Sequence, residues 1–421
     1  MPKEPVWSRA GALRAPALCL AALLAAASAA GSPAFPGEAA SPAPRPAPAP
    51  LRTRNVILIT ADGLRIQELF TGMDPVVSER EKHSGISDLE RARRLYWRPS
   101  AAERREALMP FFWKTLAPRG IVLGNKEKGS HVTMRNPHLF SYPGYAEILT
   151  GQFQPDVISN DAVRYPHRTV LEFVRDKLRL PFTGVAFIGG WDVFRSAAAS
   201  REGAYFVNAG EDDPVPAPYA TPRLEYLSAV QAEILALWEG SRVDTVTFEI
   251  GLEYLKKYRP RALYLAFGDT DEWAHARRYD RLLDQIRIFD AHLSRLWETL
   301  ERLPDYRGRT TLILTTDHGR GVTPKDWIDH GEGVTGSEDI WIAVIGPDTP
   351  DRGELGPYPT VHQADVAATL LRLLGLDDRE FNAQAGPPIP AALGLPEPSA
   401  AVEPLRPSGA TDGSRAAGAG R

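Results

Sequence analysis

Apolar residues in this chain come in short unbroken blocks separated by longer polar stretches. Such blocks stand at 55–60 (Asn-Val-Ile-Leu-Ile-Thr), 120–124, 185–188, 262–267, 310–315 and 340–345. Runs of this length, with no polar alternation, read as strands of a sheet covered on both faces. Between them the spacing turns helical. Leu282, Ile286, Phe289, Leu293, Leu296 and Leu300 recur every three or four residues and form one apolar face of a long helix. Ser100 and Glu103 make a capping box that opens a helix expected to run to about Leu116. Ser141 is expected to be the N-cap of another, with Pro143 in its first turn and Gly151 at its end. Helices alternating with buried strands define an α/β fold: a mainly parallel central sheet with helices on both faces. Segments 70–99 and 190–225 are charged or interrupted by proline and read as irregular insertions near the active-site edge of the sheet, where ligands of such folds bind.

The two ends of the chain differ from this interior. Lys3, Arg9 and Arg14 precede an apolar stretch from Ala15 to about Ala27, and Ser28-Ala29-Ala30 then offer small residues before Gly31. That is the pattern of a secretory signal, and the stretch is shorter than the ~20 residues of a membrane span. The alternative is an uncleaved anchor. The domain organisation expected is a signal peptide over 1–30, a Pro/Ala-rich linker over 31–50, one catalytic domain over 51–394 and a disordered tail over 395–421. The expected localisation is therefore periplasmic or secreted.

Charge and cysteine content narrow the chemistry. The 421 residues hold 49 Lys and Arg against 53 Asp and Glu, without a basic block, so no nucleic-acid-binding surface is evident. No stretch beyond the signal is long and apolar enough to span a membrane. The single cysteine, Cys19, falls within the signal, and Leu18 before it does not suit a lipoprotein signal. A mature chain without cysteine has no thiol nucleophile and no thiolate ligands, so a metal site must draw on Asp, His and other oxygen ligands.

Such residues gather where the strands end. Asp62-Gly63 follows the first block; Asp269-Thr-Asp271-Glu-Trp-Ala-His275 follows the fourth; Asp317-His318-Gly319 follows the fifth; and Asp329-His330-Gly331 stands before the sixth. A lone Asp after a strand is ordinarily a turn former. Several acids and histidines delivered to one sheet edge can converge on a cation instead. Asp269 lies closer to its strand than Asp271 and is an alternative ligand; the four-residue step from Asp271 to His275 would put both on one helical face. His362 is an alternative to His330. A Ser at a helix start is usually only a cap, but the same position binds anions, and a hydroxyl beside a metal loses its proton more easily.

The ordered set of these motifs resembles the alkaline phosphatase superfamily, and within it the type I phosphodiesterase/nucleotide pyrophosphatase branch. The resemblance covers roughly Arg54 to Leu376: Asp62-Gly63, the Ser141-Tyr-Pro143 segment ending in Thr150-Gly151, Asp271-x-x-x-His275, Asp317-His318-Gly319, His330-Gly331, and a last helix at Gln363-Ala-Asp365 to Gly375. It implies an exported metal-dependent hydrolase, a phosphodiesterase or phosphomonoesterase acting on a small-molecule phosphate ester. Ser141 would be the nucleophile, through a phosphoseryl intermediate. Two divalent metal ions, usually zinc, are implied, one on Asp62, Ser141, Asp317 and His318 and the other on Asp271, His275 and His330.

The chain also departs from the family. Where many relatives carry Pro-Asn-His after the nucleophile, Pro143 is followed by Gly144 and Tyr145, so the Asn that would donate to a phosphate oxygen is absent there; Arg135 or Asn136 are the substitutes expected. The sulfatase motif, Cys/Ser-x-Pro-x-Arg, fails at its fifth position, Tyr145. A phosphonate or sulfate ester hydrolase of the same superfamily and a non-catalytic binding protein on the fold are the alternatives. His83, His131, His138 and His167 show no ligand pattern, His292 beside Leu293 reads as surface or partly buried, Arg65 reads as part of a solvated helix start with reach to substrate as the alternative, and Phe70, Trp191, Phe194 and Tyr219 read as core of the insertions or as an aromatic wall.

Overall fold

The computed structural model of the protein describes residues 50–78, 84–211, 213–234 and 238–397. The expected signal peptide, the linker up to its last residue, His83 and the tail from residue 398 lie outside the described residues. The first residues of the expected tail are tied down: the Leu395 N–H donates to the Pro390 carbonyl at 3.0 Å, and Glu397 pairs with Arg352 at 2.7 Å.

Eleven strands are described: β1 (Asn55–Ala61), β2 (Gly120–Leu123), β3 (Ser130–Thr133), β4 (Val185–Gly189), β5 (Phe206–Ala209), β6 (Ala262–Phe267), β7 (Thr310–Thr315), β8 (Asp339–Ile340), β9 (Ile342–Ile345), β10 (Gly353–Glu354) and β11 (Tyr358–His362). Eight form the central sheet in the order β10-β2-β9-β7-β1-β6-β4-β5. Its pairs are parallel except where β9 meets β2 and β7, so β9 runs against the rest. The fold is α/β with a mainly parallel sheet, as the apolar blocks predict.

The unbroken blocks have a direct physical reason. Side chains alternate across a strand, so a sheet covered on both sides needs apolar residues at every position. Ile57, Ile59, Leu263, Leu265, Leu312 and Leu314 enter one core, beneath the helices Asp244–Tyr258 and Tyr279–Arg302. Val56, Leu58, Ala262, Tyr264 and Ile313 enter the other, beneath the helices Ser141–Thr150, Val170–Lys177 and Asp365–Leu373. The predicted apolar face of the long helix is buried along its whole length.

Four expectations need correction. The Ser100 capping box opens a helix, but that helix stops at Leu108. Pro110 disfavours helical geometry in the residue before it, and the chain continues as a separate wide turn over Phe112–Leu116. The block at 340–345 is two strands broken at Trp341: β8 joins a small sheet of order β11-β3-β8, and β9 joins the central one. The supposed insertion at 190–225 contains a core strand, β5, and the start of the helix Pro222–Glu233, while residues 70–99 include the capped helix Leu89–Tyr96. Arg65 is not solvated: it is 1% exposed, and its guanidinium meets Glu68 and Asp74 and donates to the Gly321 carbonyl at 2.8 Å.

Candidate metal centre and nucleophile

Three parallel neighbours in the sheet, β7, β1 and β6, deliver the acids. Asp62 follows β1, Asp317 lies two residues beyond β7, and the helix Asp269–His275 starts two residues beyond β6. Because the strands are in register, the side chains meet at one edge. Gly63 makes the turn after β1 in the left-handed region (φ 58°), and its N–H donates to Asp317 Oδ1 at 3.1 Å. A side chain there would start 2.6 Å from Asp271 Oδ1, so the acids close around a backbone without a Cβ.

His318 sits at the centre, fully buried. Its Nδ1 faces the Gly319 carbonyl at 2.9 Å, which fixes the proton on Nδ1 and leaves a lone pair on Nε2. That Nε2 lies 3.3 Å from Asp62 Oδ1, 3.5 Å from Asp317 Oδ2 and 3.4 Å from the Ser141 hydroxyl. Neither Asp62 Oδ1 nor Asp317 Oδ2 has a hydrogen-bond donor among the described residues, although both are buried. Orphaned carboxylate oxygens facing an imidazole lone pair are the donor set of a cation.

The second half of the site is alike. His275 Nε2 is 3.1 Å from Asp271 Oδ2 and 3.1 Å from His330 Nε2. His330 Nδ1 faces the Leu139 carbonyl at 3.4 Å, and Leu139 adopts φ 57°, an unfavourable conformation for a non-glycine residue. The His318 and His330 rings stack at 3.8 Å. Two triads, Asp62/Asp317/His318 and Asp271/His318/His330, have all their ligand atoms within 4.8 Å of one another.

The electrostatics agree with an acidic, desolvated pocket. Burial and then the charge of Asp271 push the Asp62 carboxyl well up; burial and then Asp62 do the same to Asp317. Burial also opposes the charge of Asp271, yet the Arg320 guanidinium and then the hydrogen bond from His275 hold that carboxyl well below the usual range. Burial and then His318 push His330 down to about 2, so it stays a neutral ligand. Carboxylates that raise one another's pKa are relieved by a shared cation.

Ser141 is not the N-cap expected of it. Phe140 is, and Ser141 is the first helical residue, 7% exposed. The terminus offers few free donors: Asn160 Oδ1 accepts the Tyr142 N–H at 3.0 Å, Pro143 has no N–H, and Gly144 N–H donates to Phe140. The Asn160 carboxamide thus lies beside the start of this helix, nineteen residues after Ser141, where sequence reading did not look.

The absent Asn of the family has a steric explanation. A Cβ on Gly144 would lie 2.3 Å from the Asp317 carbonyl oxygen, so the helix is seated on the backbone of Asp317. Tyr145 donates to Asp62 Oδ2 at 3.1 Å. The expected substitutes are placed differently. Asn136 is 1% exposed, donates to Glu147 at 2.9 Å and accepts from the Leu139 N–H at 3.0 Å, so both ends of its carboxamide are used inside the protein. Arg135 is exposed, and its N–H is held by Glu147.

Both ligand alternatives are placed away from the cluster's contacts. The Asp269 carboxylate accepts the Asp244 N–H at 3.0 Å, and Asp244 in turn accepts the Asp269 N–H at 3.2 Å. His362 belongs to neither triad; its backbone N–H donates to Asp365 at 2.9 Å, while its ring Nδ1 is buried without a hydrogen-bond partner among the described residues. Of the aromatic residues considered, Phe70 and Phe194 are core and Tyr219 packs against Phe182; Trp191 keeps partial exposure and packs against the cluster containing Tyr142. Arg320 and Thr270, whose hydroxyl donates to the Asp62 carbonyl at 2.6 Å, complete the site unread from sequence.

Comparison with known proteins agrees with this architecture. Residues 241–378 match the Metalloenzyme superfamily. Among solved structures, the alkaline phosphatase PafA superposes with a TM-score of 0.54 at 10% identity, over 82% of this chain and 100% of that one. A putative sulfatase from Bacteroides thetaiotaomicron gives 0.53 at 13% identity, over 82% and 76%, and a 2-O GAG sulfatase gives 0.51 at 13%, over the same shares. No curated protein matches the chain. The fold is alkaline phosphatase-like, and the stretch 241–378, which carries Asp271, His275, Asp317, His318 and His330, is similar to the Metalloenzyme superfamily.

Proposed function

We propose that the protein is an exported phosphoric ester hydrolase with Ser141 as nucleophile. The observation that carries this reading is the Ser141 hydroxyl 3.4 Å from His318 Nε2, at the point where orphaned oxygens of Asp62 and Asp317 converge. The donor set fits two divalent ions of the zinc type: Asp62, Ser141, Asp317 and His318 would hold one, Asp271, His275 and His330 the other. When bound, such ions would lower the pKa of the Ser141 hydroxyl and neutralise phosphoryl oxygens.

The chain's own residues do the rest. The helix starting at Ser141, seated on Asp317, fixes the direction of Oγ. Oγ gives up its proton and attacks phosphorus, the ester oxygen leaves with its electron pair and takes up a proton from solvent, and a phosphoserine forms; water then attacks that phosphorus, the P–Oγ bond breaks and Oγ regains a proton from that water. In this reading the Ser141 N–H and the Asn160 Nδ2 group would donate to a phosphoryl oxygen. Signal peptide 1–30 and a catalytic domain over 51–394 belong to the same proposal; among the described residues no helix is long and apolar enough to cross a membrane.

A sulfate or phosphonate ester hydrolase is the competing reading. Against the sulfatase stands Tyr145, in the place of that motif's Arg and committed to Asp62. The test is hydrolysis of p-nitrophenyl phosphate, bis-p-nitrophenyl phosphate, a phenylphosphonate ester and a sulfate ester by the mature chain, with bound metal counted. Ser141→Ala is expected to abolish phosphate ester hydrolysis. Full turnover in Ser141→Ala would refute the nucleophile; a preference for the sulfate or phosphonate ester would move the chain to the competing class; a folded, zinc-supplied protein with neither metal nor turnover would leave a binding protein.

A further inference from the structure

Arg320 is a cation buried among acids. Its side chain is 0% exposed and its guanidinium meets three acceptors. Nη2 donates to Asp271 Oδ1 and, at 3.1 Å, to the Asp271 carbonyl; Nη1 donates to the Ile328 carbonyl, two residues before His330.

Asp271 stands between the two halves of the site. Its Oδ2 faces His275 at 3.1 Å, while Oδ1 lies 3.8 Å from both His318 Nε2 and His330 Nε2. A carboxylate whose Oδ2 faces His275 and whose Oδ1 stands midway between His318 and His330 is placed to bridge two cations. The guanidinium changes that. It is a fixed unit charge on Oδ1, the oxygen within reach of His318, so it repels a cation approaching that atom and leaves Oδ2, on the His275 side, for the His275/His330 cation.

We infer that Arg320 is a positioning residue that reserves Asp271 for the His275/His330 cation and keeps the two ions on separate ligand sets. By holding Ile328 as well, it ties the loop carrying His330 to Asp271. The inference rests on the two-cation reading of the site.

The test is metal affinity of the full chain, stripped and then titrated with zinc against a chromophoric chelator. The wild type is expected to take up about two zinc ions. In Arg320→Gln one affinity is expected to fall about 10–100-fold, the effect usual for losing a residue that orients a ligand, while the other holds. Arg320→Lys keeps a charge in the same cavity without the fork; it is expected to fall between, and carries the test should the Gln variant not fold. Unchanged affinities in both variants, or an equal fall of both ions, would overturn the role of Arg320 alone. A wild type that binds no zinc with a native circular dichroism spectrum would overturn the two-cation reading beneath it.

Discussion

Replacing Gly144 by Ala adds one methyl group at the contact between the helix that starts at Ser141 and the backbone of Asp317. That carbon would lie 2.3 Å from the Asp317 carbonyl oxygen, 3.0 Å from its carbon and 3.3 Å from Met134 Cε. Carbon–oxygen contacts are comfortable only beyond roughly 3.4 Å, so the helix must retreat by about 1 Å. Asp317 cannot give way instead, since the same carbonyl accepts Gln363 Nε2 at 2.6 Å from another side. The retreat carries Ser141 away from His318. Overpacking of this size costs about 1–3 kcal/mol of stability, and a misplacement of about 1 Å at the reacting atom costs on the order of 100-fold in rate. The expected result is a folded variant whose kcat/KM for an aryl phosphate ester drops about 100-fold, with a melting temperature lowered by a few degrees. A variant with wild-type kcat/KM and wild-type stability would refute the claim that this helix is seated on the ligand backbone, and with it the steric account of the missing Asn.

Metal removal should destabilise the protein, because three buried carboxylates then face one another. A ligand at about 100 times its Kd contributes about 2.7 kcal/mol, so a chelator is expected to lower the melting temperature by several degrees, and zinc to restore it; a melting curve indifferent to both would count against any cation at this site. His292 predicts a pH dependence. It is 5% exposed, stacks on Phe248 at 4.2 Å, and burial followed by Arg295 lowers its pKa to about 4. The unfolded chain, with a pKa near about 6.5, therefore binds the proton first as pH falls, so stability present above about 6.5 is lost on the way down to 4. Between pH 7 and pH 5 this amounts to about 2 kcal/mol, which His292→Phe should remove from the difference in urea unfolding free energies; parallel losses in variant and wild type would sink the assignment.

What was legible in the sequence was whatever repeats or stands at a strand end. The unbroken apolar blocks show because both sheet faces are covered, and the acids after β1, β6 and β7 show because parallel strands in register bring their ends together. Single-residue interruptions were less visible. Pro110 ends a helix that its capping box promises to prolong, and Trp341 turns a continuous apolar run into strands of two sheets while staying 0% exposed. β3 and β11 are short and half exposed, so neither alternation nor length betrays them.

The residues that remained hidden act through what they lack or through partners distant in the chain. Gly144 reads as a departure from a family pattern, and only the nearness of Asp317, 173 positions on, shows it to be a requirement of contact. Arg320 reads as an ordinary charge after Asp317-His318-Gly319, since no local pattern announces an arginine whose acceptors are Asp271 and Ile328. His292 lies on the apolar face of its helix beside Leu293, and its burial was open to inference from that stripe alone. A titratable or charged residue standing where the periodicity calls for an apolar one, or just beyond an Asp-His-Gly turn at a strand end, is thus the signal that sequence reading should weigh most. Burial there forces a partner or a shifted pKa, and His292 and Arg320 show the two outcomes.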